Sequence, residues 1–423
     1  MLNLSKKNNS NSCFSLLLAI LFFLDLCIAQ EKIITLNFTK NPSNANYWWL
    51  EKNNFGRDIS KFAFQGNFEL EKSRTKYIIS IFSKSKNNNI ENIYLNESFI
   101  KHNFSNNTFI RLGRYYRDFS SYLNDDLSSG SMLISNNAQA MPKVGLVTSK
   151  KIKKNKNIIF DFGISHGIFN KNDIYKDSPF LHEKFLYINI RKNNYKIAIG
   201  FVHEAIWGGY IESDHKFSGK QPNSFSDFLK ILIAEDGPED VPHANALGNH
   251  LGIWDFSIEK KNNDKILKLY YQHLFEDTSG LRFANKTDGL WGIELTEYLF
   301  NTTVLLEYLN TSNQFIDFPY VSEQYYNHFL YRPGWSYKNH TLGNPFIDHL
   351  NAIDTAVLHL GIKGTFSNNY NYTIKLSRRT NISDKIKYKL ALSKIINDKN
   401  QIDIFMVNND SANGFGISIS KNL

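Results

Sequence analysis

A two-residue rhythm recurs along almost the whole chain, and it restricts the fold more than any other feature. It is clearest between Asn245 and Thr296. Trp254, Phe256 and Ile258 alternate there with Asp255, Ser257 and Glu259. Leu267, Leu269, Tyr271 and Phe275 share a face opposite Lys268, Tyr270 and Gln272, and Trp291, Ile293 and Leu295 alternate with Gly292, Glu294 and Thr296. Side chains on a strand point alternately to its two faces, so such runs are strands with one apolar and one polar side. Soluble antiparallel sheets and membrane barrels both use such strands. The connections favour the barrel. The one at Lys260–Lys265 is tight and basic, whereas the next is longer and carries Glu276, Asp277, Ser279, Gly280, Arg282 and Asp288. Short turns at one end and long polar loops at the other are the asymmetry of an outer-membrane barrel.

The rhythm extends in both directions. Tyr77, Ile79 and Ile81 show it, as do Ile158, Phe160, Phe162, Ile164 and Ile168, set against Asp161, Gly163, Ser165 and Gly167. Tyr195, Ile197, Ile199 and Phe201 repeat it against Lys196, Ala198 and Gly200, and it returns from Leu358 to Ile419. An apolar outer face over a small or polar inner one predicts a wet lumen. Units of about 20 residues predict roughly 16–20 strands, preferably an even number. Aromatic residues make up 14% of the chain, enough to furnish interfacial girdles. The fold class expected is all-β, a transmembrane antiparallel barrel with long extracellular loops. A soluble β-sandwich is the structural alternative, and it would need the apolar faces to pack on one another.

Residues 1–29 have the pattern of a secretory signal peptide, with Lys6 and Lys7, an apolar run from Phe14 to Ile28, and Ala29 at the expected cut. The two cysteines, Cys13 and Cys27, both lie in that segment, which leaves residues 30–423 as a barrel domain without a disulfide framework. Residues 30–60, with Tyr47-Trp48-Trp49-Leu50, suit either a periplasmic or plug-like segment or a plain first turn and strand. The net charge of +9 points for an exported chain to acidic polysaccharide or anionic lipid, or to a solvated surface, rather than to nucleic acid.

Three stretches break the rhythm. Leu127–Ser131 with Asn136–Pro142 is too long and polar for a hairpin turn, and is either an inward-folded loop or a disordered external one. Residues 210–245 hold a short helix over Asp227–Glu235 and an extracellular loop. Asn313–Ile347 is a long aromatic loop.

Catalytic signatures are few. His203-Glu204 is half of a zincin motif, but Trp207 stands where the second histidine belongs. His243 and His250 lack a supporting cysteine or acidic cluster, so no metal or other cofactor is expected. Glu276, Asp277 and Asp288 supply carboxylates that could serve glycoside hydrolysis, although loop carboxylates more commonly bind water, a cation or, here, Arg282. Recognition chemistry is better represented. Sugar rings stack their CH faces on aromatic rings and present hydroxyls to planar polar groups. Trp335 and Tyr337 beside Arg332 and Asn344 supply both kinds of contact. An aromatic plug packed inside the barrel would use the same residues.

Several stretches, in order, resemble the Wzi-type capsule assembly protein family in its Bacteroidetes-like form. They are Tyr47–Gly56, Leu127–Ser135 with Pro142-Lys143, Leu181–Leu186 with Trp207-Gly208-Gly209, and Asn245–Gly252. Tyr270–Gly280, Asp288–Gly292, Glu307–Thr311 and Tyr331–Pro345 complete the series. The resemblance implies a barrel of 18 strands with periplasmic helical elements, in the bacterial outer membrane. It also implies a lectin-like, non-enzymatic role in attaching capsular polysaccharide. Surface polysaccharide and outer-membrane lipids are the partners expected of a monomer, and the site residues to test are Trp335, Tyr337, Arg332, Asn344, Glu276, Asp277 and Asp288. A porin-like channel is the alternative from a transport class.

Overall fold

The computed structural model describes residues 31–40, 62–86, 89–153, 155–235, 246–316, 323–381, 385–409 and 412–423. The signal-peptide stretch, the Tyr47–Gly56 cluster and His243 lie outside the described residues. Alternating segments form eighteen antiparallel strands in one closed ring. They are β1 (Glu31–Lys40), β2 (Phe62–Lys72), β3 (Thr75–Lys86), β4 (Asn89–Leu95 and Ser98–Ser105, broken between), β5 (Thr108–Tyr115) and β6 (Met141–Lys151). Next come β7 (Ile158–Ile168), β8 (Phe180–Lys192), β9 (Tyr195–Trp207), β10 (Asn249–Asn262), β11 (Lys265–Phe275) and β12 (Gly289–Leu299). The last are β13 (Thr302–Asn310), β14 (Ala356–Ser367), β15 (Tyr370–Arg379), β16 (Lys387–Asn397), β17 (Asn400–Asn409) and β18 (Ala412–Asn422).

Sequential neighbours pair, and β1 pairs with both β2 and β18, which closes the ring with Thr35 opposite Ser420. Closure removes the free edges of the first and last strands, and among the described residues the Asn89–Leu95 half of β4 pairs with β3 alone. Most hairpins turn at one end, although Lys86–Asn89 and Asn409–Ala412 close theirs at the other, and several turns place asparagine in the left-handed region: Asn193 at φ 52°, Asn263 at φ 53° and Asn301 at φ 47°. Asparagine tolerates that conformation, so this Asn-rich chain has the turn chemistry a many-stranded barrel needs. The connections after β5, β7, β9, β11 and β13 lie at the opposite end and are far longer.

The predicted apolar faces point outward and stay uncovered. Ile79, Leu112, Leu146, Phe162, Leu186, Ile199, Leu269, Leu306, Leu390, Ile404 and Ile419 are each more than a third exposed and spread around the ring. An apolar belt of this kind is adapted to lipid, and it replaces the sandwich alternative, whose faces would be mutually buried. Aromatics reinforce the belt: Trp291 stacks on Tyr271 with ring centroids 3.8 Å apart, and Phe201, Trp254 and Phe256 continue the series. Among the described residues no helix is long and apolar enough to cross a membrane, which says nothing of a barrel.

Along β8–β14 the lumen departs from the wet one expected. The largest buried cluster, including Leu127, Met132, Leu133, Tyr187, Leu251, Tyr270, Tyr326 and Trp335, lies inside the barrel. Inward glycines make room for rings: a Cβ on Gly200 would come within 2.2 Å of Tyr187, and one on Gly292 within 2.0 Å of Tyr270. Small inner residues therefore mark where rings from the neighbouring strand lie, and water does not fill the space they leave.

The helix expected near Asp227–Glu235 spans Phe225–Ile233 (α1), in the connection from β9 to β10. Ser224 caps it: its Oγ accepts the Asp227 N–H at 3.2 Å while the Asp227 carboxylate accepts the Ser224 N–H at 2.8 Å. Asp227 is thus the third helical residue rather than the first, which explains the two-residue offset. Among the described residues no helix lies at the short-turn end, where the resemblance implies one.

Candidate functional site

The connection from β5 to β6, residues 116–140, folds into the barrel, which decides between the two readings of Leu127–Ser131 with Asn136–Pro142. Its polar small residues find partners on the inward faces of the strands. Asp255 on β10 accepts hydrogen bonds from Ser120 Oγ at 2.6 Å, Tyr187 Oη at 2.5 Å and Tyr122 Oη. Glu307 on β13 accepts from Ser128 Oγ at 2.6 Å, from the Ser129 N–H and from Tyr270 Oη. Gln272 on β11 accepts the Met132 N–H at 2.9 Å and donates to Ser120 Oγ at 2.9 Å. Lys268 Nζ donates to Tyr122 O at 2.8 Å while pairing with Glu294 at 2.8 Å. Buried carboxylates and ammonium groups are costly unless satisfied in this way, so the loop and the wall depend on each other.

A second inward layer comes from the connection between β13 and β14. Trp335, fully buried, donates its indole N–H to Leu133 O at 2.8 Å, and Tyr326 Oη donates to Met132 O. Asn344 Nδ2 donates to Ser129 Oγ at 3.0 Å and Gly130 O at 2.9 Å, and the buried Tyr337 accepts from Arg114 at 3.2 Å. The tight approach requires glycine at 334, where φ is +64° and a Cβ would lie 2.0 Å from His349 O. Trp335, Tyr337 and Asn344 therefore sit together inside the plug, while Arg332 beside them is exposed.

Asp288 is elsewhere. Fully buried just before β12, it accepts from the Asn313 N–H at 3.0 Å, Asn313 Nδ2 at 2.8 Å, Tyr325 Oη at 2.7 Å and Asn310 Nδ2 at 3.2 Å. Burial outweighs these donors and pushes its carboxyl up to about 6.

Glu276 and Asp277, by contrast, line a cavity of about 170 Å³ at the long-loop end. Ala246, Gly248, Asn249, His250, Gln324, Asn327, His328 and Phe329 complete its wall. Two connections are clasped here: the Glu276 N–H donates to Glu323 Oε2 at 2.7 Å, and the Gln324 N–H donates to Glu276 Oε2. Burial and the adjacent Glu323 carboxylate hold the Glu276 carboxyl well above the usual range. His328 accepts the N–H groups of Leu330 and Tyr331 on Nδ1 at 3.2 and 3.1 Å, and burial pushes its imidazole down to about 3. A neutral ring accepting on Nδ1 carries its proton on Nε2. Phe329 packs against His328 and His215, with ring centroids 4.4 and 5.0 Å away, and keeps 41% of its own surface exposed. The wall thus joins a partly exposed aromatic ring to planar amides and carboxyls, a combination suited to a sugar ring. Its volume is below the roughly 300 Å³ of pockets for larger ligands, and fits a single unit of a chain.

The Tyr325–Phe329 stretch was legible only as part of an aromatic loop. What makes Phe329 an exposed face and Tyr325 and Tyr326 buried anchors is their docking, which no periodicity encodes. The histidines of the motif-like pairs have other surroundings. His203 and Glu204 are consecutive on β9 and therefore face opposite sides of the wall, so they cannot act together on one metal. His203 lies within 2.8 Å of His250 Nδ1, whose Nε2 donates to Leu247 O. Among the described residues no group of three or more His, Cys, Asp or Glu is arranged to hold a metal ion.

Comparison with known proteins agrees with this architecture. The family model for capsule assembly protein Wzi matches residues 49–419. Among solved structures the chain is similar to Wzi of Escherichia coli, described as an outer membrane protein involved in group 1 capsule assembly and a carbohydrate-binding β-barrel. The two are 14% identical over 98% of this chain and 89% of that one, with a TM-score of 0.63. A mutant of the Rh. blastica porin is similar at 7% identity over 93% of this chain and 99% of that one, with a TM-score of only 0.43. No curated protein matches. The first likeness supports the 18-stranded barrel fold, and the family match covers most of the sequence. The chain belongs to the Wzi capsule assembly protein family.

Proposed function

We propose that this protein is an outer-membrane lectin that holds surface polysaccharide, capsular or similar, and helps assemble it at the cell surface without enzymatic activity. The observation that carries the proposal is the cavity at the long-loop end, where Phe329, 41% exposed beside the rings of His328 and His215, lies among Glu276, Asp277, Gln324 and Asn327. Glu276 and Asp277 touch the glycan there, and the exposed Arg332 extends the contact toward acidic units. Trp335, Tyr337, Asn344 and Asp288 act behind the surface by fixing the loop that presents Phe329. The test is binding of the organism's own surface polysaccharide to the detergent-folded barrel. Phe329→Ala should weaken binding about tenfold, the loss of a stacked aromatic worth ~1 kcal/mol or somewhat more. Unchanged binding by Phe329→Ala combined with Asp277→Ala would remove the site assignment.

The channel reading is disfavoured because two loops fill the lumen between β6 and β13, and single-channel conductance tests it. The enzyme reading is disfavoured because Asp288 has its oxygens engaged by Asn310, Asn313 and Tyr325, and Glu276 is held by backbone donors. Release of reducing ends from the bound glycan would reverse that conclusion.

A further inference from the structure

Helix α1 has a wider apolar surface than its packing on the barrel uses. Successive helical residues turn by about 100°, which divides its nine residues into three sectors. Phe228, Ile231 and Leu232 form the sector against the outer wall. Ile231 is fully buried with Ala205 and Trp207, and the Phe228 ring lies 5.9 Å from that of Trp207 and 5.6 Å from that of His182. Lys184, also on the outer wall, donates from Nζ to Leu232 O at the end of the helix. Ser226, Asp227 and Lys230 form a polar sector. Between the two lies a stripe of Phe225, Leu229 and Ile233 at i, i+4 and i+8, which are 75%, 46% and 68% exposed.

We infer that α1 is an interfacial helix whose Phe225–Leu229–Ile233 stripe is seated among the acyl chains of the outer leaflet. Continuity identifies the occupant. The helix lies on the outside of the barrel, at the upper ends of β7, β8 and β9, and the outward residues below it on those strands, Ile164, Leu186 and Ile199, belong to the exposed apolar belt. The stripe extends that belt sideways. Water would have no use for three large apolar side chains in a row, whereas a helix with one polar and one apolar sector lies in a membrane interface. Lys230 in the polar sector is placed to reach the headgroups, as long cationic side chains do at such depths.

This seat bears on the cavity. The Leu247 N–H donates to Glu235 O at 3.0 Å, and Ile231 packs directly behind Gly248, where a Cβ would come within 3.1 Å of Ile231 Cδ1. The Gly248–His250 wall of the cavity is therefore backed by a helix that the leaflet holds in place.

The inference rests on the membrane-barrel reading, and the experiment separates the two. With Cys13 and Cys27 replaced by serine, nitroxide labels are attached at Phe225→Cys, Leu229→Cys, Lys230→Cys and, on the belt, Ile199→Cys. Each variant is checked for the heat-modifiable folded band and placed in lipid nanodiscs. Collision rates with dissolved oxygen and with a water-soluble nickel chelate are then compared. The expected result is an oxygen-to-nickel ratio at 225 and 229 close to that at 199 and several-fold above that at 230. High nickel accessibility at 225 and 229 with a protected 199 overturns the inference and leaves the barrel standing. Protection from both reagents at 225 and 229 means protein covers the stripe, and overturns it equally. Nickel access at 199 as well would sink the membrane reading itself.

Discussion

Single residues here have roles set by which face of the wall they occupy. His203 and Glu204 are neighbours in sequence yet lie on the outside and inside of β9, which is why a motif-like pair has no joint chemistry. Asp288 shows the energetic side of burial. Its carboxyl titrates near 6 against an ordinary value of 3.8, so its protonated form is favoured in the folded state. A raised pKa contributes stability that is complete below about pH 4 and is lost as pH rises through about 6. Asp288→Asn, which cannot ionise, should therefore show a smaller drop in thermal transition between pH 4.5 and pH 7.5 than the unmodified chain. The temperature at which the heat-modifiable band converts reads this directly, and equal drops in both would show that Asp288 does not titrate in that window. Glu276 and Asp277 were legible in the sequence as loop carboxylates near a barrel rim. Gln324, Asn327, His328 and Phe329 were not, because nothing local distinguishes them from the buried tyrosines beside them.

At the scale of elements, the two long connections form one interlocked unit. The 116–140 arm is held by the carboxylates of Asp255 and Glu307, and the 323–349 layer is fastened to it by Trp335, Tyr326 and Asn344. Removing the buried indole leaves a cavity and orphans the Leu133 carbonyl, a loss of about 3–5 kcal/mol for Trp335→Ala by analogy with large-to-small core changes. The upper layer should loosen before the barrel does. Limited proteolysis between residues 323 and 349 should be strongly accelerated in Trp335→Ala and only mildly in Trp335→Phe, while the strands remain folded. Cleavage at the unmodified rate in the alanine variant would mean that the layer is held by something other than this side chain. The sequence showed that these stretches were not strands. Their direction, into the lumen, depended on polar residues such as Gln272 and Glu307, contributed by strands far away in the chain.

For the whole molecule, closure is the decisive event. β1 supplies the last pairing by joining β18 to β2, and the edges it removes would otherwise expose unpaired amides to hydrocarbon. Deleting Ala412–Asn422 should therefore abolish the folded, heat-modifiable form altogether instead of lowering its transition by a few degrees. A truncated chain that still gave a stable folded band would show that β17 can close directly on β1.

The sequence by itself determined that the chain forms many two-faced strands, that its turns are short at one end and long at the other, and that its apolar faces suit lipid. These are properties of period and of local turn chemistry, and they are written residue by residue. The tertiary structure alone decided that the lumen is packed along β8–β14, that the aromatic loop divides into buried anchors such as Tyr326 and Trp335 and exposed rings at Phe315 and Phe329, and that α1 lies against the outer wall. Each of those outcomes depends on residues distant in sequence satisfying one another's buried polar groups or covering one another's apolar surface. A periodic pattern carries no information about which distant partner will do so.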